Sequence, residues 1–156
     1  MIRPVLLDAG PLGRIAHPRR KPDVDTWLKD LLHGGVTVIL PEIADYEVRR
    51  NLLAAGLHRS VAELDDLKLL LVYQPLTTLV MQKAAELWAV ARKRGKPTAD
   101  PKELDGDVIL AAQALEVGGL VATDNLGHLS QFVAAEDWRL ITPPNPPGAG
   151  GVTSTP

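Results

Sequence analysis

LDGDVILAAQALEVGGLVATDNLGHLSQF, residues 104 to 132, is the stretch from which the rest of the chain can be placed. After Asp107 the run Val108, Ile109, Leu110, Ala111, Ala112, Ala114 and Leu115 has helical density. Ala and Leu favour that state because they lose little side-chain freedom in it. Gly118 and Gly119 then predict a helix end, since glycine takes a left-handed conformation there without a steric penalty. Leu120, Val121 and Ala122 make a short apolar run suited to a strand buried on both faces. Thr123, Asp124 and Asn125 fall where that strand ends, and in open α/β sheets ligands bind at that edge. An acid opening the helix and polar groups closing the strand can converge there. Further acids arriving at the same edge would make it a metal site.

Working outward, PVLL (4–7) reads as a strand that ends in Asp8, with Gly10 and Pro11 turning the chain. Asp8 either serves a site at the strand's carboxyl end or caps the next helix, and both readings stay open. Residues 23–32 place Val24, Trp27, Leu28, Leu31 and Leu32 on one helical face, and VTVIL (36–40) is a β-branched strand bounded by glycine and proline. Pro41 starts a helix through PEIADYEVRRNLLAAG, where its missing N–H costs nothing. Glu47 lies about two turns into it, and its spacing alone favours a surface pairing with Arg50 at i, i+3. Ser60 with Glu63 matches a capping box opening a helix to Leu70, and Leu71 to Tyr73 is a short strand. Thr77 or Thr78 begins a helix to Arg94 with Val80, Ala84, Leu87, Trp88 and Ala91 inward, Trp88 as a core anchor. WRLI (138–141) reads as a last edge strand. Strands near 4–7, 36–40, 71–73, 120–123 and 138–141, alternating with helices, imply an α/β sandwich with a mostly parallel sheet.

The bulk numbers exclude more than they assign. A chain of 156 residues with 46% hydrophobic and 23% charged residues is one globular domain. With no Cys there is no disulfide framework, thiolate nucleophile or cysteine-bound zinc, which fits a reducing cytoplasm. No apolar run approaches the ~18–20 residues of a membrane span, and MIRPVLLDAG lacks the apolar core of a signal peptide. A net charge of −2 gives no global basic footprint, so a nucleic acid would need a local basic patch. PRRKP (18–22) and RKRGKPTADPK (92–102) are the basic, proline-bearing loops. The four His show no zinc spacing, no glycine-rich phosphate loop occurs, and Ser60 and Ser130 lack a nucleophile-elbow context. Residues 142–156 are Pro/Gly-rich with nothing to bury, so a domain at 1–141 with a disordered tail is expected.

Three acids stand out: Asp8 ending the first strand, Glu47 in the helix after the second, and Asp107 opening the helix before the fourth. Clustered carboxylates repel and lose stability unless a cation neutralises them. A hard cation with oxygen ligands, Mg²⁺ or Mn²⁺, answers that need.

At these residues the chain resembles the PIN-domain ribonucleases, which include the VapC-like toxin half of bacterial toxin–antitoxin pairs. LLDAGPLG resembles the family's opening strand with its first acid, DYEVRRNL its second motif with Glu47, and DGDVILAAQAL its third, which selects Asp107 with Ala111 and Ala112. VATDNLGHLSQFV followed by a Trp resembles the fourth motif of one bacterial branch. The match spans residues 3 to about 141. The sequence departs from the pattern twice: Gly10 stands where Ser, Thr or Asn is usual, and Asn125 where the fourth acid is usual, with Asp124 displaced by one.

The resemblance implies a three-layer α/β/α sandwich and metal-dependent RNA cleavage with Mg or Mn. Asp8 and Asp107 would be the principal ligands, and Glu47 would bind directly or through water. Asp124 or Asn125 would complete the set, and Asp105 and Thr123 would support it. Strand alternation past Thr123 leans towards Asn125 facing the metal and Asp124 sitting beside it. Arg49, Arg50, Arg94 and Lys96 would meet RNA phosphates. A small antitoxin partner and a homodimer are expected, and no membrane. Two other readings remain. One is a non-catalytic PIN-like RNA-binding or scaffold protein. The other is a phosphohydrolase with Asp8 as covalent nucleophile, a class that usually carries a second Asp where this chain has Gly10.

Overall fold

Three apolar runs without a polar face, Val5–Leu7 (β1), Val38–Pro41 (β2) and Leu120–Thr123 (β4), form the middle of a five-stranded sheet. This computed structural model describes residues 2–94, 101–127 and 129–144. Val72–Gln74 (β3) and Ala135–Asp137 (β5) are the edges, giving the order β3-β2-β1-β4-β5 with every neighbouring pair parallel. The chain builds outward from β1 to β3 and then returns to β4 beside β1. That reversal opens a crevice at the carboxyl ends of β1 and β4, the place where such sheets bind ligands.

The helices are Ala9–Ala16 (α1), Pro22–His33 (α2), Glu42–Ala54 (α3), His58–Leu70 (α4), Thr78–Lys93 (α5) and Pro101–Val117 (α6). Side chains alternate across the sheet, as strand geometry requires. Val5, Leu7, Val38, Leu40 and Ala122 pack into a core with α1 to α4, while Leu6, Ile39 and Val121 pack against Leu110 and Ala114 of α6. A third cluster joins α5 to α6 through Val80, Ala84, Leu104, Val108 and Ala112. The result is the α/β/α sandwich expected, with a wholly parallel sheet. Gly118 ends α6 at φ +63, and a side chain at Gly119 would collide with Leu6, so both glycines are needed to bring α6 back onto β1. Among the described residues no helix is long and apolar enough to cross a membrane.

Four local expectations are corrected. Trp138 to Leu140 is a 3-10 turn, and the last strand is Ala135–Asp137 before it. Trp138 and Ile141 are buried at a three-residue spacing, which suits a turn rather than a strand. Trp138 packs edge-on against Trp27 at 5.3 Å, and the Trp27 Nε1–H donates to the Ile141 carbonyl at 2.9 Å. Ser60 lies inside α4, which starts at His58 directly after the α3 exit at Gly56 (φ +69). Its hydroxyl is buried with no hydrogen-bond partner among the described residues, instead of capping. Pro41 ends β2 as well as preceding α3, and α6 begins at Pro101, so Asp107 lies in its second turn rather than at its start. Residues Thr142 to Pro144 belong to the described chain, with Pro143 lying against Gly34. The remainder of the expected tail, and Lys96, lie outside the described residues.

Candidate active site

Asp8 is the first residue after β1 and performs both jobs left open by the sequence. Its Oδ1 accepts the Ala9 N–H at 2.7 Å and so caps α1, while its Oδ2 accepts the Thr123 hydroxyl at 2.7 Å. Thr123, buried at the end of β4, in turn accepts the Asn125 N–H at 3.1 Å, which fixes its rotamer. The two central strands are thus tied together at the crevice by a carboxylate. Burial pushes the Asp8 carboxyl up, the Thr123 and Ala9 bonds pull it part of the way back, and nearby Asp124 adds to the rise.

Glu47 stands one helical turn beyond Ile43 on α3, and both line the same cleft with Tyr46 and Arg50. Its carboxylate rests on the backbone of Gly106, where an added Cβ would come within 2.7 Å of Oε1. Burial raises its pKa first. Asp8 and Asp107 add to the rise, and Arg50 opposes it. The surface pairing with Arg50 is not formed: Arg50 stacks over the Tyr46 ring at 5.1 Å, and no ion pair joins it to Glu47 among the described residues. Asp107 lines the cleft with Asp105 and Gly106, presented by the second turn of α6. The cleft, of 950 Å³, therefore gathers Asp8, Glu47, Asp105 and Asp107 at the carboxyl edge of the sheet.

Asp124 and Asn125 also line it, but each is engaged elsewhere. Asp124 accepts the Trp138 indole N–H at 2.8 Å and the Arg14 Nε–H at 3.1 Å. A Cβ at Gly10 would lie 2.6 Å from the Asp124 carboxylate. The two departures from the family pattern are therefore one: the displaced acid fills the space that a side chain at position 10 would use. The Asn125 amide oxygen accepts the Gly127 N–H at 3.0 Å, closing a turn with Gly127 at φ +41. Of the expected phosphate contacts among the described residues, only Arg50 lines the cleft. Arg49 bonds Asp45 at 3.0 Å and Asp65 at 2.8 Å, and Arg94 caps the end of α5 outside the cleft lining. Sequence reading missed Ile43, Tyr46 and Gly106. The spacing 43, 46, 47, 50 on α3 is the signal that could have found the first two.

Among the described residues, no three acidic or histidine side chains are drawn into a finished metal cage. The donor set nevertheless fits a hard divalent ion. It is all oxygen and half-buried, burial first and nearby carboxylates second raise the pKa of Asp8 and Glu47, and Mg²⁺ commonly keeps several waters on one or two carboxylates.

No protein-family model and no curated relative matches the chain by sequence. Solved structures do match by fold. A chain of the VapBC2 complex of Rickettsia felis, bound to a promoter DNA fragment, superposes with TM-score 0.70 at 16% identity, over 88% of this chain and 99% of that one. A chain of FitAcB from Neisseria gonorrhoeae gives 0.60 at 23% identity over 88% and 99%. VapBC-1 of nontypeable Haemophilus influenzae gives 0.66 at 16% over 88% and 98%. At these identities the likeness establishes the fold, which is the PIN-like sandwich anticipated from the motifs.

Proposed function

We propose that the protein hydrolyses RNA phosphodiester bonds with the help of Mg²⁺ or Mn²⁺, as the toxin of a toxin–antitoxin pair. The observation that carries this reading is the gathering of Asp8, Glu47 and Asp107, from three distant segments, into one cleft at the sheet's carboxyl edge, with Asp8 and Glu47 both held above the ordinary carboxylate range. Asp8, Asp107 and Glu47 would hold the ion. When bound, it would lower the pKa of a water and offset charge on the phosphoryl oxygens. The chain's own residues do the positioning. Thr123 and the Ala9 N–H fix the Asp8 carboxylate, and the bare backbone of Gly106 lets Glu47 stand beside it. Glu47, lining the cleft beside Asp107, would help to orient the attacking water, whose proton passes to solvent as oxygen bonds to phosphorus and the bond to the leaving sugar oxygen breaks. The leaving oxygen takes its proton from solvent.

The fold likeness to chains of VapBC and FitAcB complexes supports an antitoxin partner, and we propose a homodimer with it. Co-purification with the product of an adjacent small reading frame, and light scattering of the complex, test both. A second reading, a non-catalytic RNA-binding protein of the same fold, is favoured by the absence of a finished three-acid cage among the described residues. Purified protein with a fluorogenic RNA separates the two: cleavage that requires Mn²⁺ or Mg²⁺ and disappears in Asp8→Asn supports the nuclease. RNA binding with no cleavage in either ion supports the second reading.

A further inference from the structure

The cleft does not end at Asp124. A second groove, of 420 Å³, shares Gly10 and Asp124 with it and runs along α1 towards the loop before α2. Gly10, Gly13, Arg14 and His17 recur at helical spacing, so one stripe of α1, about 10 Å long, forms its wall. Arg19 and Lys21 line the far end, both exposed and neither in an ion pair among the described residues. Arg20 between them is already taken, by Asp25 at 2.8 Å and Glu63 at 3.6 Å. The His17 Nδ1 accepts the Arg19 N–H at 3.0 Å and so fixes the turn that presents Arg19.

The sign of charge changes across the junction. Asp8, Glu47, Asp105 and Asp107 lie on one side, while on the other Arg14, Arg19 and Lys21 outnumber Asp23 and Asp124. Asp124 itself is neutralised by Arg14 and flanked by Arg139 at 3.8 Å, so it is not a repulsive wall. Gly13 keeps the wall low: a Cβ there would meet only Val48, at 3.9 Å. A polyanion cannot be held by carboxylates. Its affinity must come from cations flanking the point of cleavage, through phosphate contacts that release counterions.

We infer that single-stranded RNA leaves the acidic cleft past the Arg14–Asp124 pair and runs along this groove with its phosphates on Arg19 and Lys21. The inference rests on the nuclease reading and gives it a substrate path. The test uses the full chain carrying Asp8→Asn, so that bound strand stays uncut, and a fluorescent single-stranded RNA followed by anisotropy over a series of salt concentrations. Adding Arg19→Ala and Lys21→Ala should flatten the slope of log K against log salt by about 1.4, the value for two single-strand phosphate contacts. Gly13→Glu, placed where there is room for a side chain, should weaken binding roughly tenfold or more by like-charge repulsion while the melting temperature holds. An unchanged slope together with unchanged affinity in Gly13→Glu overturns the groove assignment. So does a polyglutamate peptide that binds through Arg19 and Lys21 while RNA binding ignores them, which would give the groove to a protein partner. If the Asp8→Asn parent binds no RNA at any salt concentration and the wild type cleaves none, the nuclease reading itself has failed. If the parent binds and the wild type cleaves, only the groove stands or falls.

Discussion

Helix α3 carries acids on two sides, and the two sides obey opposite rules. Towards β3 and α4, Glu42 accepts the Leu76 N–H at 2.7 Å and the Tyr73 hydroxyl at 3.1 Å. Asp45, only 6% exposed, meets Arg49 at 2.9 Å, Lys68 at 3.6 Å and the Tyr73 hydroxyl at 3.4 Å. Burial and these two acids push the Tyr73 phenol above its ordinary range, so it remains a donor. Towards the cleft, Glu47 has no hydrogen bond or ion pair among the described residues, and the charges that act on it include Asp8 and Asp107. A buried acid with cations and donors around it is structure. Buried acids gathered against one another cost stability, and such a cost is retained where a ligand relieves it.

The sharpest way to break this contrast is to neutralise one acid on each side. Asp8→Asn should reduce RNA cleavage on the order of a thousandfold, while leaving the melting temperature unchanged or higher, because Asn still accepts the Ala9 N–H without the charge. Asp45→Asn should do the reverse. It should leave cleavage intact and cost about 2 kcal/mol, less than a fully buried pair would, since Arg49 and Lys68 keep part of their side chains in water. Cleavage rates and denaturant unfolding on the two variants check both. Equal effects on stability would erase the distinction.

Glu47→Gln comes next, with cleavage down about a hundredfold and stability raised. Gly106→Ala should show a smaller split of the same kind. Alanine favours the helix by up to about 1 kcal/mol, yet its Cβ must push the Glu47 carboxylate aside, so activity falls roughly tenfold as stability rises. A rise in both would remove Gly106 from the site.

The smallest expected effect is on pH dependence. Asp8 and Glu47 have folded pKa values above their ordinary ones, so the folded protein keeps protons that the unfolded chain has already released. Stability of the metal-free protein should therefore fall as pH rises from the ordinary carboxylate range through the raised values, and level off above them. Melting curves across that window should show a shallower fall in Asp8→Asn and Glu47→Gln. They should show a shallower one still in wild type saturated with Mn²⁺. A rise across the same window would contradict the sign of both shifts.

The legible parts of this molecule are those whose pattern is complete within a few residues. Strands β1, β2 and β4 have no polar face, and Gly118 ends α6 in the left-handed conformation that its position predicts. Strand β5 has no residue fully inside, so its Ala-Glu-Asp gives no alternation to read, and the apolar Trp138 to Ile141 drew the strand assignment forward. Asp8, Glu47 and Asp107 are singled out by the family motifs, because locally Asp8 reads as well as a helix cap and Glu47 as a partner of Arg50. What could not be read locally depends on partners far away in the chain. Arg49 and Arg50 are neighbours, yet Arg49 is held by Asp45 and the more distant Asp65 while Arg50 lines the cleft. Gly10 is explained only by Asp124 lying over it, and strand alternation says nothing about Asn125 once the Gly127 turn has ended the strand.

The claim that the cleft acids are gathered for a cation is tested most directly by calorimetric titration of Mn²⁺ into three proteins. Wild type and Asp45→Asn should bind the ion with the same stoichiometry and affinity, and Asp8→Asn should lose binding by an order of magnitude or more. Undiminished binding in Asp8→Asn, or its loss in Asp45→Asn, would contradict the account.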